Sequence, residues 1–137
     1  MIGLDTNVLV RYIVQDDAHQ AAAATGLIEG QCTRDNPGLV SHLVLAELCW
    51  VLGRGYGYDR KLQASVLSAL LATAELRVQQ PDSVWPAIRA FEQGPADFAD
   101  YLMAQINREQ GCDATWTFDR KAAQSPLHRL LAGDGPQ

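Results

Sequence analysis

The chain has 137 residues, 47% hydrophobic and 20% charged, which suits one compact domain with a single core. No apolar stretch is long enough to span a bilayer, so a membrane role is not expected. The net charge of −5 argues against a generally basic nucleic-acid-binding surface, but not against an acidic site that recruits metal ions.

Cys32, Cys49 and Cys112 are odd in number and far apart. They form neither a CxxC pair nor a disulfide framework, which is the usage of a cytoplasmic protein. Asp5 interrupts the first apolar run and no basic leader precedes it, so the start does not read as a signal peptide.

Residues 1–4 read as a short strand. A helix is predicted over 6–14 and a better, alanine-rich one over 17–29. "CTRDNPG" (32–38) is a loop by its Asp-Asn-Pro-Gly content. "LVSH" (39–42) reads as a second strand, followed by an apolar helix over 43–52 that Gly53 is expected to end. "RGYGYDR" (54–60) reads as a connector and 61–73 as a helix. "LRVQ" (76–79) alternates as a strand does. Asp82 or Ser83 is suited to cap a helix running to Gln93, and "GPAD" (94–97) breaks the chain before a helix over 98–109. "ATWTF" (114–118) is a strand rich in β-formers. The domain is expected over 1–132, and 133–137, "GDGPQ", is expected to be a flexible C-terminal tail. Strands alternating with helices predict an α/β domain with a mainly parallel sheet.

In parallel α/β folds, sites form beyond the carboxyl ends of the strands. Asp5 and Asp119 both fall there, although an Asp at such a place also serves as a helix cap. Glu47 is harder to explain as structure. It is the one charged residue in "LVLAELCWVL" (43–52). Its helical neighbours Leu43, Val44, Trp50 and Val51 offer it no partner, so it needs solvent, a cation or a group from elsewhere. Asp97 and Asp100 lie three apart at a helix start. Asp97 fits the cap and Asp100 the third helical position of a capping-box variant; Asp100 is the better candidate for chemistry, since its carboxylate is not required for the cap.

Four segments thus deliver acids to plausible site positions. Like charges gathered together raise one another's pKa, and a bound cation turns that repulsion into attraction. Mg²⁺ prefers oxygen ligands and keeps several waters, and a two-metal site hydrolyses phosphodiesters without a histidine or serine nucleophile. There is no HExxH, GxxxxGK[ST] or GxSxG. His19, His42 and His128 are scattered and read as surface or packing residues. Ser41 and Thr117, at strand ends, are placed to support the acids by hydrogen bonds or simply to terminate strands.

"IGLDTNVLV", "VSHLVLAELCWVL" and "DFADYLMAQINREQGCDATWTFDRKAA" together resemble PIN-domain ribonucleases, and more narrowly the VapC-type toxins of bacterial toxin–antitoxin modules. The likeness runs from Met1 to about Leu131. It implies a three-layer α/β/α PIN-like fold with a central, mainly parallel sheet, and cleavage of RNA with Mg²⁺ or Mn²⁺, one or two ions. The family's four acids fall on Asp5, Glu47, Asp100 and Asp119, with Asp97 an extra acid that replaces or assists Asp100. Thr6, Asn7 and Thr117 match the polar neighbours that position those acids. Such toxins are usually homodimers, inhibited by a cognate antitoxin protein through which alone the pair binds operator DNA.

In an acidic protein, RNA binding must rely on local cations. Arg120 and Lys121 lie nearest the expected site, with Arg11, Arg54, Arg60 and Lys61 further candidates. "RGYGYDRK" (54–61) mixes basic and aromatic residues suited to phosphates and bases, but a glycine-capped helix end is the stronger reading. Two alternatives remain. A phosphatase of the haloacid-dehalogenase type wants an acid two residues after the first Asp, where Asn7 stands. A non-catalytic PIN-like binding module is the other, against which the full acid set argues.

Overall fold

The structure is a computed structural model, and it describes residues 1–132. The expected tail, 133–137, lies outside the described residues. The chain forms two compact units, Met1–Gln79 and a second from Gln80 onward.

The first unit holds a parallel sheet of β1 (Ile2–Gly3), β2 (Gly38–Val40) and β3 (Leu76–Val78), in that spatial order. The register pairs Ile2 with Gly38 and Val40 with Val78. Its helices are α1 (Thr6–Val14), α2 (Ala18–Thr25), α3 (His42–Tyr56) and α4 (Arg60–Ala72). α1 packs on α2 and α3, α3 on α4, and α4 on β3. Leu9, Val40, Leu45, Leu48, Leu52 and Leu67 are the heart of this core.

Side-chain caps fix the helix starts in this unit. Asp5 accepts from the Thr6 N–H, Asp17 from Gln20, Ser41 from Val44 and Asp59 from Leu62. Each satisfies a donor that the first helical turn leaves unpaired. Two expected boundaries move. The helix predicted over 17–29 stops at Thr25, and the chain winds on as a π-helical segment, Gly26–Gln31. Gly53 does not end α3, which runs to Tyr56 and stops at Gly57 in the left-handed conformation, φ 70°. The helix end is set by the residue that must turn left-handed, not by the first glycine met. A side chain at Gly53 would stand 2.8 Å from the Gln63 amide, which donates to the Tyr58 carbonyl at 2.8 Å. The glycine therefore serves the approach of α4.

The second unit holds α5 (Pro81–Gln93), α6 (Phe98–Glu109) and a parallel ladder of β4 (Thr115–Thr117) and β5 (His128–Leu130). Neither Asp82 nor Ser83 caps α5. Gln80 precedes it with φ 39° and Pro81 opens it, where the missing N–H costs nothing. Ser83 is buried and donates to Glu109 of α6 at 2.7 Å. α5 and α6 pack face to face, with Phe91 edge-on to Phe98 at 6.0 Å. Gly94 is needed at their junction: a Cβ there would overlap the Tyr101 hydroxyl, which accepts from the Ala96 N–H at 3.2 Å. β5 is an element the sequence reading lacks. Parallel strands and helices together make this an α/β protein. No helix among the described residues is long and apolar enough to cross a membrane.

Candidate active site

Asp5 stands two residues beyond β1, where the chain turns into α1. Its Oδ1 accepts from the Thr6 N–H at 2.7 Å, and the Thr6 hydroxyl donates to Glu47 Oε2 at 3.3 Å. Thr6 is buried while both acids are exposed. One buried residue thus reaches, through its backbone and its side chain, two carboxylates 42 residues apart in sequence. Glu47 lies on the outward stripe of α3 with Leu43, Trp50 and Arg54, so it has both solvent and the partner from elsewhere that its isolation demanded.

In the second unit Asp97 occupies the N-cap position of α6 and Asp100 its third residue. Asp100 Oδ2 accepts from the Asp97 N–H at 3.3 Å. The expectation that the Asp100 carboxylate is not needed for the cap is therefore corrected. Its short side chain reaches back to the cap with one oxygen. Asp100 titrates above the usual carboxylate range. Partial burial is the main cause, and the nearby carboxylates of Asp119 and Asp97 add to it, while the Asp97 N–H and His128 act the other way. Asp119 follows β4 in a turn. Its N–H donates to Thr117 Oγ1 at 3.0 Å, and its Oδ1 accepts from the Lys121 N–H at 2.8 Å. His128, which no spacing in the sequence tied to Asp100, is buried on β5, and its Nδ1 has no hydrogen-bond partner among the described residues.

The remaining predicted residues divide by what holds them. Thr117 positions the Asp119 turn. Ser41 is the α3 cap, which accounts for it without chemistry. Asn7 is exposed, and with Val8, Arg11 and Gln20 it lines a groove of about 270 Å³ on α1 and α2. Arg11 is engaged: Asp16 Oδ1 accepts from it at 2.9 Å, Gln20 Oε1 at 2.7 Å, and the Tyr56 hydroxyl at 3.2 Å. Tyr56 in turn donates to Asp16 Oδ2 at 2.8 Å. The "RGYGYDRK" segment is accordingly a helix end, a left-handed glycine and the Asp59 cap of α4. Arg54, Arg120 and Lys121 are exposed.

Among the described residues no three His, Cys, Asp or Glu side chains gather closely enough to hold a metal ion by themselves. Taken unit by unit, the candidate acids nevertheless suit a hard cation. They are all carboxylates, and Asp100 is held above its ordinary range by burial and by the negative charge of Asp119 and Asp97, the condition a divalent ion relieves. Mg²⁺ typically takes only one or two carboxylates and completes its shell with water and substrate phosphate.

A search of curated proteins finds no significant match. The PIN domain family model matches residues 2–126, a span that includes all four acids. PIN domains are generally nucleases that use divalent metal ions. With an Asp beyond the first strand, a Glu tied to it through Thr6, and paired acids at the start of α6 and the end of β4, this chain belongs to the PIN domain family.

Proposed function

We propose that this PIN domain is an endoribonuclease dependent on Mg²⁺ or Mn²⁺, and the toxin of a toxin–antitoxin pair. The observation that carries the nuclease reading is Thr6, joined to Asp5 by its N–H and to Glu47 by its hydroxyl. Side chains that orient metal-binding groups in this way are a regular part of metal sites. Asp5, Glu47, Asp100 and Asp119 hold one or two ions, directly or through water, and Asp97 assists Asp100. When bound, such ions supply an activated water and offset charge at the leaving oxygen of a phosphodiester. Thr6 and Thr117 orient the acids. Arg120 and Lys121 attract the phosphate backbone. A haloacid-dehalogenase-type phosphatase is set aside, because its acid/base position is Asn7.

The toxin assignment rests on the likeness of the whole acid-bearing pattern to VapC-type toxins. It brings with it a homodimer, a cognate antitoxin as inhibitor, and operator DNA bound only through that antitoxin. The test is cleavage of total cellular RNA by the purified protein with Mg²⁺ or Mn²⁺ against EDTA, beside Asp5→Asn. Discrete cuts that need metal and vanish in the variant establish the nuclease and reveal its target. Full turnover by Asp5→Asn would refute the site.

A further inference from the structure

The β4–β5 ladder has two unlike faces. Side chains alternate along a strand, so Thr115 and Thr117 lie on one face with His128 and Leu130. That face is covered: Asn107 of α6 donates to Thr115 Oγ1 at 3.0 Å, and His128 is buried. The opposite face carries Trp116, and the exposed Phe118 follows one residue past the end of β4. From β5 that face carries Arg129, which stands opposite Trp116 in the register, and Leu131 follows. Trp116 is 59% exposed and Phe118 55%. Among the described residues neither ring packs against another ring.

Two large aromatic rings left in water forgo a sizeable burial energy, and β-propensity alone does not require them, since threonine also suits a strand. Two positions of chain reach at most about 7 Å, within what an extended sugar–phosphate chain spans between successive unstacked bases. Cations accompany the rings in register and in sequence. Arg129 lies across the ladder, and the exposed Arg120 and Lys121 follow Phe118 after a single residue, Asp119. In a chain of net charge −5, this mixture of exposed rings and cations fits a polyanion with aromatic faces better than it fits an apolar protein surface.

We propose that Trp116 and Phe118, with Arg129 beside them, form a stacking platform that holds two unpaired bases of single-stranded RNA. The platform deepens the ribonuclease reading and rests on it for the identity of the substrate. Bases in a duplex are stacked on one another and cannot present their faces to a protein, whereas single strands can. Asp119 directly follows Phe118 in the chain, so a base held on Phe118 brings its phosphates toward one of the proposed site acids. The enzyme is thereby selective for unpaired segments.

The test is binding of the full-length protein in EDTA to a labelled, unstructured RNA of about 12 nucleotides, read by fluorescence anisotropy, beside the same strand annealed to its complement. The wild type is expected to favour the single strand by roughly tenfold or more, and Trp116→Leu to lose about tenfold in affinity while Trp116→Phe retains most of it. Unchanged single-strand affinity in Trp116→Leu would overturn the platform. So would equal affinity for the duplex, no binding at all, or a dimer that Trp116→Leu dissociates, which would make this face a contact between copies. Binding needs no metal, so the two readings fail separately. A protein that stacks RNA through Trp116 but cleaves nothing with metal loses the nuclease reading alone. One that cleaves while Trp116→Leu binds normally loses the platform alone.

Discussion

The Thr6 hydroxyl donates to Glu47 across 41 residues of sequence, at 3.3 Å, from a side chain that is itself buried. Because Thr6 also donates its N–H to Asp5, the two acids share one anchor. Valine matches the shape of threonine and lacks only the hydroxyl. Thr6→Val is therefore expected to keep the fold, with a stability change within about 1 kcal/mol, while metal-dependent RNA cleavage falls roughly tenfold or more. Thr6→Ser keeps the hydroxyl and should retain most of the activity. Cleavage rates of the two variants under one metal concentration decide it, and equal rates would mean that the bond orients nothing.

This anchor shows where sequence reading stops. Glu47 stood out because no neighbour on its own helix could partner it, but nothing in the sequence named Thr6 as the group that reaches it. The starts of α1 and α6 were legible because Asp5 and Asp97 stand at cap positions before helical patterns. The start of α5 was not, because a left-handed Gln80 leaves no compositional trace. β5 was hidden for a different reason: "HRL" has no strand pattern, and only pairing with β4 makes it one. At Asp100 the spacing to Asp97 gives the capping-box position, but that its carboxylate is used there is decided by side-chain conformation, which spacing does not fix.

The raised titration of Asp100 makes stability depend on pH in a definite sense. Below the unfolded-state value of about 3.9, the carboxyl is protonated in both states and has no effect. As pH rises from there through the higher folded-state value, the folded protein must ionise a half-buried group beside Asp119 and Asp97, and stability is lost. Asp100→Asn is expected to stabilise the metal-free protein at neutral pH by less than about 1 kcal/mol, since water screens the group, and to have no effect at strongly acid pH. Saturating Mg²⁺ should raise the wild-type Tm at neutral pH and the variant's less. Thermal melts at the two pH values, in EDTA and in Mg²⁺, test this; greater stability of the wild type in EDTA at neutral pH would contradict it.

Two glycines near the end of α3 are expected to respond oppositely to alanine. Gly55 is helical, and a Cβ there would meet nothing closer than Val51 at 3.9 Å. Gly55→Ala should stabilise by about 0.5–1 kcal/mol through the lower backbone entropy of the unfolded chain and better helix propensity. Gly57 has φ 70°, and Gly57→Ala should destabilise by about 1 kcal/mol even though the space around it is open, because the strain lies in the backbone. Denaturant midpoints at unchanged m-value measure both, and the same sign for the pair would refute the account.

Arg120 and Lys121 are exposed beside Asp119, whereas the Arg11 guanidinium is held by Asp16, Gln20 and Tyr56. Asp16 titrates below its usual range through its bonds to Tyr56 and Arg11, so it stays charged and keeps neutralising Arg11 at any pH at which the protein would bind RNA. If phosphates meet the first pair, each cation removed should weaken single-stranded RNA binding and lower the slope of log affinity against log salt by about 0.7. Arg120→Ala with Lys121→Ala should therefore reduce that slope by roughly twice this amount. Arg11→Ala should leave it unchanged, because the released Asp16 carboxylate is the nearer consequence. Salt titrations of RNA binding in EDTA separate the two cases. A slope that falls with Arg11→Ala and not with the double variant would move the phosphate path from the Asp119 turn to α1.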